Sequence, residues 1–263
     1  MTAFFDTSTP GSGLGPVGKS LDSQDRVIDI SRLRFSWGIS SALVLDIDSL
    51  QVEKGHRVFI EGPSGSGKSS LLSLLAGVSV PQAGHVHVLG SPLEKMGGSA
   101  RDRFRADHMG VIFQMFNLVS YLSVVENVTL PCRFSRRRAA RTTDGGGPQS
   151  EAVRLLSRLG ISDPLLQRPV TDLSVGQQQR VAAARALIGA PEVIIADEPT
   201  SSLDAGHRRS FIRLLFEECD KAKATLIFVS HDTSLAPLFH RTLQLNAINQ
   251  EASTESTGEG GNR

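Results

Sequence analysis

The stretch that decides the fold is residues 57–76, which read R-V-F-I-E-G-P-S-G-S-G-K-S-S-L-L-S-L-L-A. A short apolar strand comes first, a glycine-rich turn follows, and an apolar helix begins near Ser69. In this order, the free N–H groups and the positive dipole end of the helix point at any anion that the turn holds. Glycines at positions 62, 65 and 67 let the backbone wrap closely around phosphate oxygens. The stretch therefore predicts a phosphate-binding loop.

Two side chains at the end of this turn have specific expected roles. Lys68 would reach the β- and γ-phosphates of a nucleoside triphosphate, and the Ser69 hydroxyl would hold Mg²⁺. The strand before the turn and the helix after it disfavour the alternative, a glycine-rich turn that binds nothing. The nucleotide-binding residues predicted here are Gly62, Pro63, Ser64, Gly65, Ser66, Gly67, Lys68, Ser69 and Ser70.

The pattern G-x-x-x-x-G-K-S also occurs at residues 13–20, as G-L-G-P-V-G-K-S. That copy follows T-S-T-P-G-S and precedes L-D-S-Q-D-R, so neither a strand delivers it nor a helix begins at its end. We interpret it as a coincidence within a Gly/Ser-rich tail.

A second apolar strand, residues 193–196, ends in the adjacent carboxylates Asp197 and Glu198. Successive strand residues point to opposite sides, so these two groups cannot have the same role. Asp197 suits a Mg²⁺ ligand, bound directly or through the second coordination sphere. Glu198, at the carboxyl end of the strand, suits the group that polarises an attacking water. A solvated acidic turn is the weaker interpretation after four residues of the buried type.

Composition excludes several classes of protein. The 263 residues carry 28 Lys+Arg against 27 Asp+Glu, and 40% are hydrophobic, which is enough for a core. The net charge of +1 argues against a broad basic face for nucleic acid, so no nucleic-acid partner is expected. Cys132 and Cys219 form no C-x-x-C pair and predict neither a disulfide framework nor a zinc site. No segment is apolar and long enough to insert in a membrane.

The order of patterns along the chain predicts an α/β domain. Disordered tails are expected at residues 1–26 and 248–263, leaving one domain at 27–247. Within it, buried-type strands alternate with helical patterns, which predicts a mainly parallel sheet covered by helices. Residues 27–35, 42–52 and 85–89 instead suggest antiparallel strands at one edge. Residues 142–148 (T-T-D-G-G-G-P) predict a surface loop.

One further motif makes a family resemblance specific. Residues 173–180 (L-S-V-G-Q-Q-Q-R) resemble the signature motif of ATP-binding-cassette (ABC) ATPases, and they stand before the Asp197 strand, as in that family. Gln114 after V-I-F, Ser202-Leu203-Asp204 after the acidic pair, His231 after T-L-I-F-V-S and Trp37 match the remaining landmarks in order. The resemblance implies a P-loop NTPase (RecA-like) core, an antiparallel β edge subdomain and an inserted helical subdomain at about 115–189.

The resemblance also assigns roles. Two copies would sandwich two ATP molecules head-to-tail, with Ser174, Gly176 and Gln177 of one copy completing the site of the other. Ser174 is a natural N-cap, and Gly176 removes a side chain that would block a phosphate. Trp37 would stack on adenine, Asp204 would report across the interface, His231 would contact the γ-phosphate, and Gln114 would sense Mg²⁺ and water. Val175 departs from the glycine common at its position, which leaves the fine geometry of the closed sandwich open.

Residues 116–131, from F-N-L to S-V-V-E-N-V-T-L-P, resemble the branch that contains lipoprotein-releasing, macrolide-efflux and cell-division cassettes. This implies an ATP-hydrolysing subunit with ATP and Mg²⁺ as cofactors, a second copy of itself and transmembrane permease subunits as partners, and a cytoplasmic position on the inner face of the membrane. The alternatives are a cassette acting on ribosomes or DNA, which usually carries two cassettes or a coiled coil, and a regulatory cassette that uses ATP as a switch.

Two weaker features remain. Arg133, Arg136, Arg137, Arg138 and Arg141 form a basic cluster, interpreted mainly as a solvated charged loop, with contact to lipid headgroups or a membrane subunit as the alternative. His85 and His87 share one side of a strand and form a possible metal pair, but without a third ligand in the pattern an exposed strand face is favoured.

Overall fold

Two β-sheets and eight helices form the described part of the chain. The computed structural model describes residues 25–38, 41–201, 203 and 205–250, so the first G-x-x-x-x-G-K-S copy and nearly all of both predicted tails lie outside it. The strands are β1 Arg26–Phe35, β2 Leu45–Glu53, β3 Arg57–Glu61, β4 Ala83–Val88, β5 Ser91–Pro92, β6 Met109–Ile112, β7 Val193–Asp197, β8 Thr225–Val229 and β9 Arg241–Gln244. The helices are α1 Lys68–Leu75, α2 Gly98–His108, α3 Val124–Phe134, α4 Arg136–Ala140, α5 Pro148–Arg158, α6 Val175–Leu187, α7 Ala205–Ala222 and α8 Leu245–Ile248.

The larger sheet is parallel and has the strand order β6-β7-β8-β3-β9. Its strands are near-continuous apolar runs, as expected for strands that are covered on both faces. Alternate residues belong to different cores: Phe59 and Ile194 pack with α3, α5, α6 and α7, whereas Val58 and Ile195 pack with α1 and the smaller sheet. The predicted mainly parallel sheet between helices is confirmed.

The smaller sheet is antiparallel, with the order β2-β1-β4-β5. Ile28 and Ile30, with Asp29 between them, are fully buried, and an irregularity in the register between Ser31 and Arg34 buries Leu33 as well. This confirms the antiparallel edge, with strand bounds close to those expected from the sequence.

Three helices, α3, α5 and α6, pack together between residues 124 and 187. Both α3 and α6 begin with a capping box, Ser123 with Glu126 and Ser174 with Gln177, in which side chain and backbone bond reciprocally. Ser174 is therefore the N-cap that the sequence predicts, and its helix begins at Val175. Residues 142–148, expected as a loop, contain a 3-10 turn at Thr143–Gly145 before α5 begins.

Asn249 and Gln250, which the sequence places in the carboxyl-terminal tail, contact the segment at the start of β2. Asn249 is buried, its side-chain oxygen accepts from the Asp46 N–H at 2.8 Å, and its amide donates to the Val44 carbonyl at 2.9 Å. Gln250 also donates to Asp48. Polar side chains of residues 249 and 250 therefore join this segment to β2 and to the residue before it.

The basic cluster lies on helices, and the interpretation as a solvated loop is wrong for Arg138. That side chain is only 2% exposed and donates to the carbonyls of Met109, Ile188, Arg185 and Ala186. Burial lowers the pKa of Arg138 to about 10. Its neighbours Arg137 and Arg141 both contact Glu192 at 2.6 Å. These arginines thus join α4 to the end of α6 and the beginning of β7.

Among the described helices, none combines the length and the apolar character that crossing a bilayer requires.

Candidate functional site

Four parallel strands, β3, β6, β7 and β8, end at the same edge of the sheet, and each is followed by residues that the sequence predicts to be functional. The glycine-rich turn follows β3, Gln114 follows β6, Asp197 and Glu198 end β7, and His231 follows β8. A cleft of about 510 Å³ opens at this edge. It is lined by Trp37, Val44, Ser64, Gly65, Gly67, Lys68, Ser69, Ser70, Gln114, Asp197, Glu198 and His231.

The turn before α1 leaves the start of that helix free for an anion. Gly67 is the N-cap, at φ 93°, and makes no side-chain cap, and the first turn carries no acidic residue. The first N–H groups of a helix have no partner within it, so they remain available to a ligand. A Cβ at Gly67 would lie 2.7 Å from the Leu45 side chain, so the close approach of β2 also requires glycine here.

Lys68 lies within the loop that it would serve. Its ammonium donates to the carbonyls of Gly62 and Pro63, both at 2.7 Å, and the residue is 8% exposed. Burial lowers the pKa of Lys68, while the negative charges of Glu198 and Asp197 oppose the decrease. The cation is thus desolvated at the floor of the cleft, where an anion gains most from it.

Ser69 and Asp197 meet across the cleft. The Ser69 hydroxyl donates to Asp197 Oδ2 at 3.4 Å. Burial raises the pKa of Asp197, against the opposing effects of the Ser69 hydrogen bond and the positive charges of Lys68 and His231. A desolvated carboxylate beside a hydroxyl is a suitable pair for a hard cation.

Glu198 and His231 contact each other through Oε1 and Nε2. Glu198 adopts φ 47°, which is uncommon for a residue with a side chain, and its N–H donates to the Val229 carbonyl at 2.9 Å. This backbone turn directs the chain out of β7, and it places the mostly buried Glu198 carboxylate against the half-exposed His231 ring. The pair is therefore held at the mouth of the cleft by strands β7 and β8.

Trp37 is 64% exposed and lies edge-on to Phe35, with ring centroids 5.1 Å apart. The ring also lines the cleft, so its exposed face is available for stacking by a planar ligand.

Gln114 is followed by two residues with positive φ, Phe116 at 59° and Asn117 at 50°. Arg185, near the end of α6, donates to both of their carbonyls, at 2.5 and 2.7 Å. Burial lowers the pKa of this guanidinium. The segment that carries Gln114 is thus held by the helix that Ser174 begins.

Three further predicted site residues lie at the start of α6. Within the described residues, the lining of the cleft does not include Ser174, Gly176 or Gln177. Val175 is more than half exposed, and a Cβ at Gly176 would approach Leu203 to 3.3 Å. Asp204 lies outside the described residues, so its predicted role stays a prediction.

Sequence reasoning missed Val44 in the lining and a contact that organises the neighbouring loops. Arg208 on α7 contacts the carboxylate of Asp232 and donates to the Leu203 carbonyl at 2.9 Å. It thereby joins the segment after Glu198 to the segment after His231. The charges of α7 gave no signal, because the sequence does not show which face of the helix contacts the loops at Leu203 and Asp232.

The residues present fit a nucleoside triphosphate with Mg²⁺. The Ser69 hydroxyl, the Asp197 carboxylate and the Gln114 amide offer the oxygen atoms that Mg²⁺ prefers. Among the described side chains, the Ser66 hydroxyl is buried without a hydrogen-bond partner, inside a loop whose N–H groups also lack a side-chain cap. Both observations indicate a loop built to surround an acceptor-rich ligand.

The strand-turn-helix unit with its desolvated lysine and paired carboxylates defines a P-loop ATPase. Residues 45–201 match the ABC transporter family, and this chain belongs to it. It is an ATP-binding subunit of that family and hydrolyses ATP. The predicted fold, the resemblance and the ATPase activity are confirmed.

Relatives support this family placement over most of the chain. The uncharacterized ABC transporter ATP-binding protein YbbA of Escherichia coli is 38% identical over 84% of this chain and 95% of its own. The lipoprotein-releasing system ATP-binding protein LolD of Psychrobacter arcticus is 36% identical over 84% and 94%. The macrolide export ATP-binding/permease protein MacB of Burkholderia pseudomallei is 38% identical over 81% of this chain, which covers 31% of MacB.

A solved structure is similar in fold. The ATP-binding cassette MJ0796, a dimer in a post-hydrolysis state bound to ADP and Pi, matches with a TM-score of 0.74 and 29% identity over 86% of this chain and 95% of that one.

Proposed function

We propose that this chain is the ATP-hydrolysing subunit of an export-type ABC transporter, and that two copies close head-to-tail on two MgATP molecules. The observation that supports this proposal most strongly is the composition of the cleft. The phosphate loop, Ser69, Asp197, Glu198 and His231 all line it, whereas the Ser174 end of α6 does not. The positive dipole end of α6 is exposed at Ser174 and Val175, and the capping box engages the N–H groups of Ser174 and Gln177, so the N–H groups between them suit a phosphate presented by another molecule. The dimeric state of the related MJ0796 cassette supports the same arrangement.

The metal would be held by Ser69 and Asp197, with Gln114 sensing it and its water. When bound, Mg²⁺ neutralises charge on the β- and γ-phosphates. Lys68 would leave the carbonyls of Gly62 and Pro63 for the phosphate oxygens, since charge-assisted bonds to an anion are stronger than bonds to neutral carbonyls. The helix N-terminus after Gly67 would hold the remaining oxygens.

Glu198 would orient the attacking water and take up its proton. The water oxygen forms the new bond to the γ-phosphorus, the bond to the leaving ADP oxygen breaks, and inorganic phosphate is released. His231, already in contact with Glu198, would hold the γ-phosphate in line. The contact also keeps the Glu198 side chain directed into the cleft.

Separate membrane subunits would bind beside Gln114. The segment after β6 and the end of α3 carry four exposed apolar side chains, those of Phe113, Met115, Tyr121 and Phe134. Closure around ATP would move this surface, because Arg185 joins it to α6. We propose a cytoplasmic position on the inner face of the membrane, reached through this surface. The export direction rests on the similarity to MacB and LolD.

A Glu198→Gln variant tests the site and the dimer together. The amide keeps the shape of the side chain but cannot take up the proton, so hydrolysis should fall by at least about 100-fold while ATP binding persists. Light scattering coupled to gel filtration should then show a dimer with MgATP and a monomer without nucleotide.

Glu217→Gln is the matched control, because Glu217 lies on α7 and contacts Arg158 at the surface. It should hydrolyse ATP like the wild type. A Glu198→Gln protein that stays monomeric with ATP bound, or that turns over normally, would overturn the proposal. Export is tested separately, by ATP-driven release of cargo after reconstitution with its membrane subunits.

A further inference from the structure

Two imidazoles and a carboxylate meet on the antiparallel sheet, away from the cleft. His85 and His87 lie on β4, and Glu94 lies on the 3-10 turn Leu93–Lys95 that follows β5. His85 Nδ1 is 3.1 Å from Glu94 Oε1, and His87 Nε2 is 3.8 Å from the same oxygen. One ligand atom from each residue lies within 4.8 Å of the others. The two histidines lie on an exposed strand face, as the sequence predicts, and the structure brings Glu94 to them as a third group that the sequence pattern did not show.

Regular backbone holds all three groups in place. The two histidines share one face of β4, which is hydrogen-bonded to β1 on one side and to β5 on the other. Leu93, immediately before Glu94, is buried and anchors the turn. Sites that stand on strands and anchored turns need little reorganisation when a ligand binds.

A backbone N–H group fixes the orientation of the Glu94 side chain. Its side chain is 12% exposed, and its second oxygen, Oε2, accepts from the Val86 N–H at 3.2 Å. One oxygen of Glu94 is therefore fixed by the backbone, and the other is directed at the two rings.

The spacing of these atoms suits a small divalent cation. Ligand atoms about 2.0 Å from a tetrahedral zinc ion lie about 3.3 Å from one another. The distances from Glu94 Oε1 to His85 Nδ1 and to His87 Nε2, 3.1 and 3.8 Å, lie on either side of this value. Rotation of the two partly exposed rings can adjust the third distance, between the two histidine nitrogens. Two imidazoles and one carboxylate form a donor set that zinc accepts, with water in the remaining position.

We propose that His85, His87 and Glu94 form a binding site for a zinc-type divalent cation, separate from the Mg²⁺-nucleotide cleft. The bound ion would tie the Leu93–Lys95 turn to β4 and so stabilise the antiparallel sheet. None of the three residues lines the cleft, so this site is independent of the proposed catalytic residues.

The test compares zinc binding by the untagged full chain with binding by His87→Ala and Glu94→Gln, in buffer with excess Mg²⁺ so that the cleft is occupied. Calorimetric titration with Zn²⁺ should show one site in the wild type and an affinity at least about ten-fold lower in both variants. Co²⁺ in place of zinc should give the visible absorption of a tetrahedral centre in the wild type alone. Thermal unfolding should shift upward with Zn²⁺ in the wild type and not in the variants.

His56→Ala is the matched control, because His56 is similarly exposed and lies 3.1 Å from Glu53, but no third described ligand joins that pair. It should bind zinc like the wild type. Equal zinc affinity in the wild type, His87→Ala and Glu94→Gln would overturn the proposal, as would the absence of zinc binding by the wild type. Basal ATPase activity should be unchanged in both site variants, which shows that they are folded.

Discussion

At the scale of single residues, Lys68 shows how the phosphate loop is prepared for its ligand. Its charge is buried, and neutral carbonyls of the loop are its hydrogen-bond partners. Desolvation of a cation is unfavourable unless it is compensated, and the nearby Asp197 and Glu198 compensate only in part. A phosphate anion would complete the compensation, which is the physical reason to expect a triphosphate at this position.

The Lys68→Ala substitution should therefore weaken ATP binding. Losing a hydrogen bond to a charged group costs about 1.5–3 kcal/mol, which corresponds to about a 10–100-fold weaker affinity. Fluorescence titration with a nucleotide analogue measures this change. Lys54→Ala, which alters an exposed lysine in the turn after β2, is the control and should leave the affinity unchanged. Unaltered nucleotide affinity in Lys68→Ala would contradict the assignment of the site.

At the scale of secondary-structure elements, Glu192 joins two helices, α2 and α4, to the start of β7. Its carboxylate meets Arg137 and Arg141 of the α4 region and His108 at the end of α2. Burial alone would raise the pKa of Glu192, but the hydrogen bonds from His108, Arg141 and Arg137 lower it well below its ordinary range.

Glu192→Gln should therefore destabilise the protein at pH 7 by about 1–2 kcal/mol, because the guanidinium groups lose a charged acceptor. The folded state keeps this carboxylate ionised where the unfolded chain takes up a proton, so the stabilisation is present above the unfolded pKa of about 4.3. It should shrink as the pH falls below about 5. Urea unfolding of both proteins between pH 7 and pH 4 measures the difference; a gap that widens on acidification would refute this account.

At the scale of the whole molecule, local patterns predicted the catalytic edge of the sheet. The sequence patterns of the phosphate loop and of the strand before Asp197 each predict their own local structure. Because parallel strands end at the same edge of a sheet, these local predictions also place the two segments side by side. Contacts between distant segments were not predictable. Asn249 reads as part of a polar tail, although its partners are Val44 and Asp46. The contact between Glu94 and His85 depends on the path of the turn after β5, which the sequence does not show. Helix α2 could not be predicted either, because it has no buried residue and therefore no apolar stripe.

Deletion of residues 1–24 should leave the ATPase site intact. The described residues that line the cleft lie within 37–231, and β1 begins at Arg26. The Asp25 carbonyl accepts from the Lys54 N–H at 2.9 Å, so a deletion of residues 1–24 keeps the described sheet whole. Its ATPase rate should stay within about two-fold of the wild type, because neither a strand nor a helix is expected beside the G-x-x-x-x-G-K-S copy at residues 13–20. Lys19→Ala in the full chain separates the motif from the deletion. Loss of turnover in Lys19→Ala, with unfolding unchanged, would show that the first copy binds phosphate.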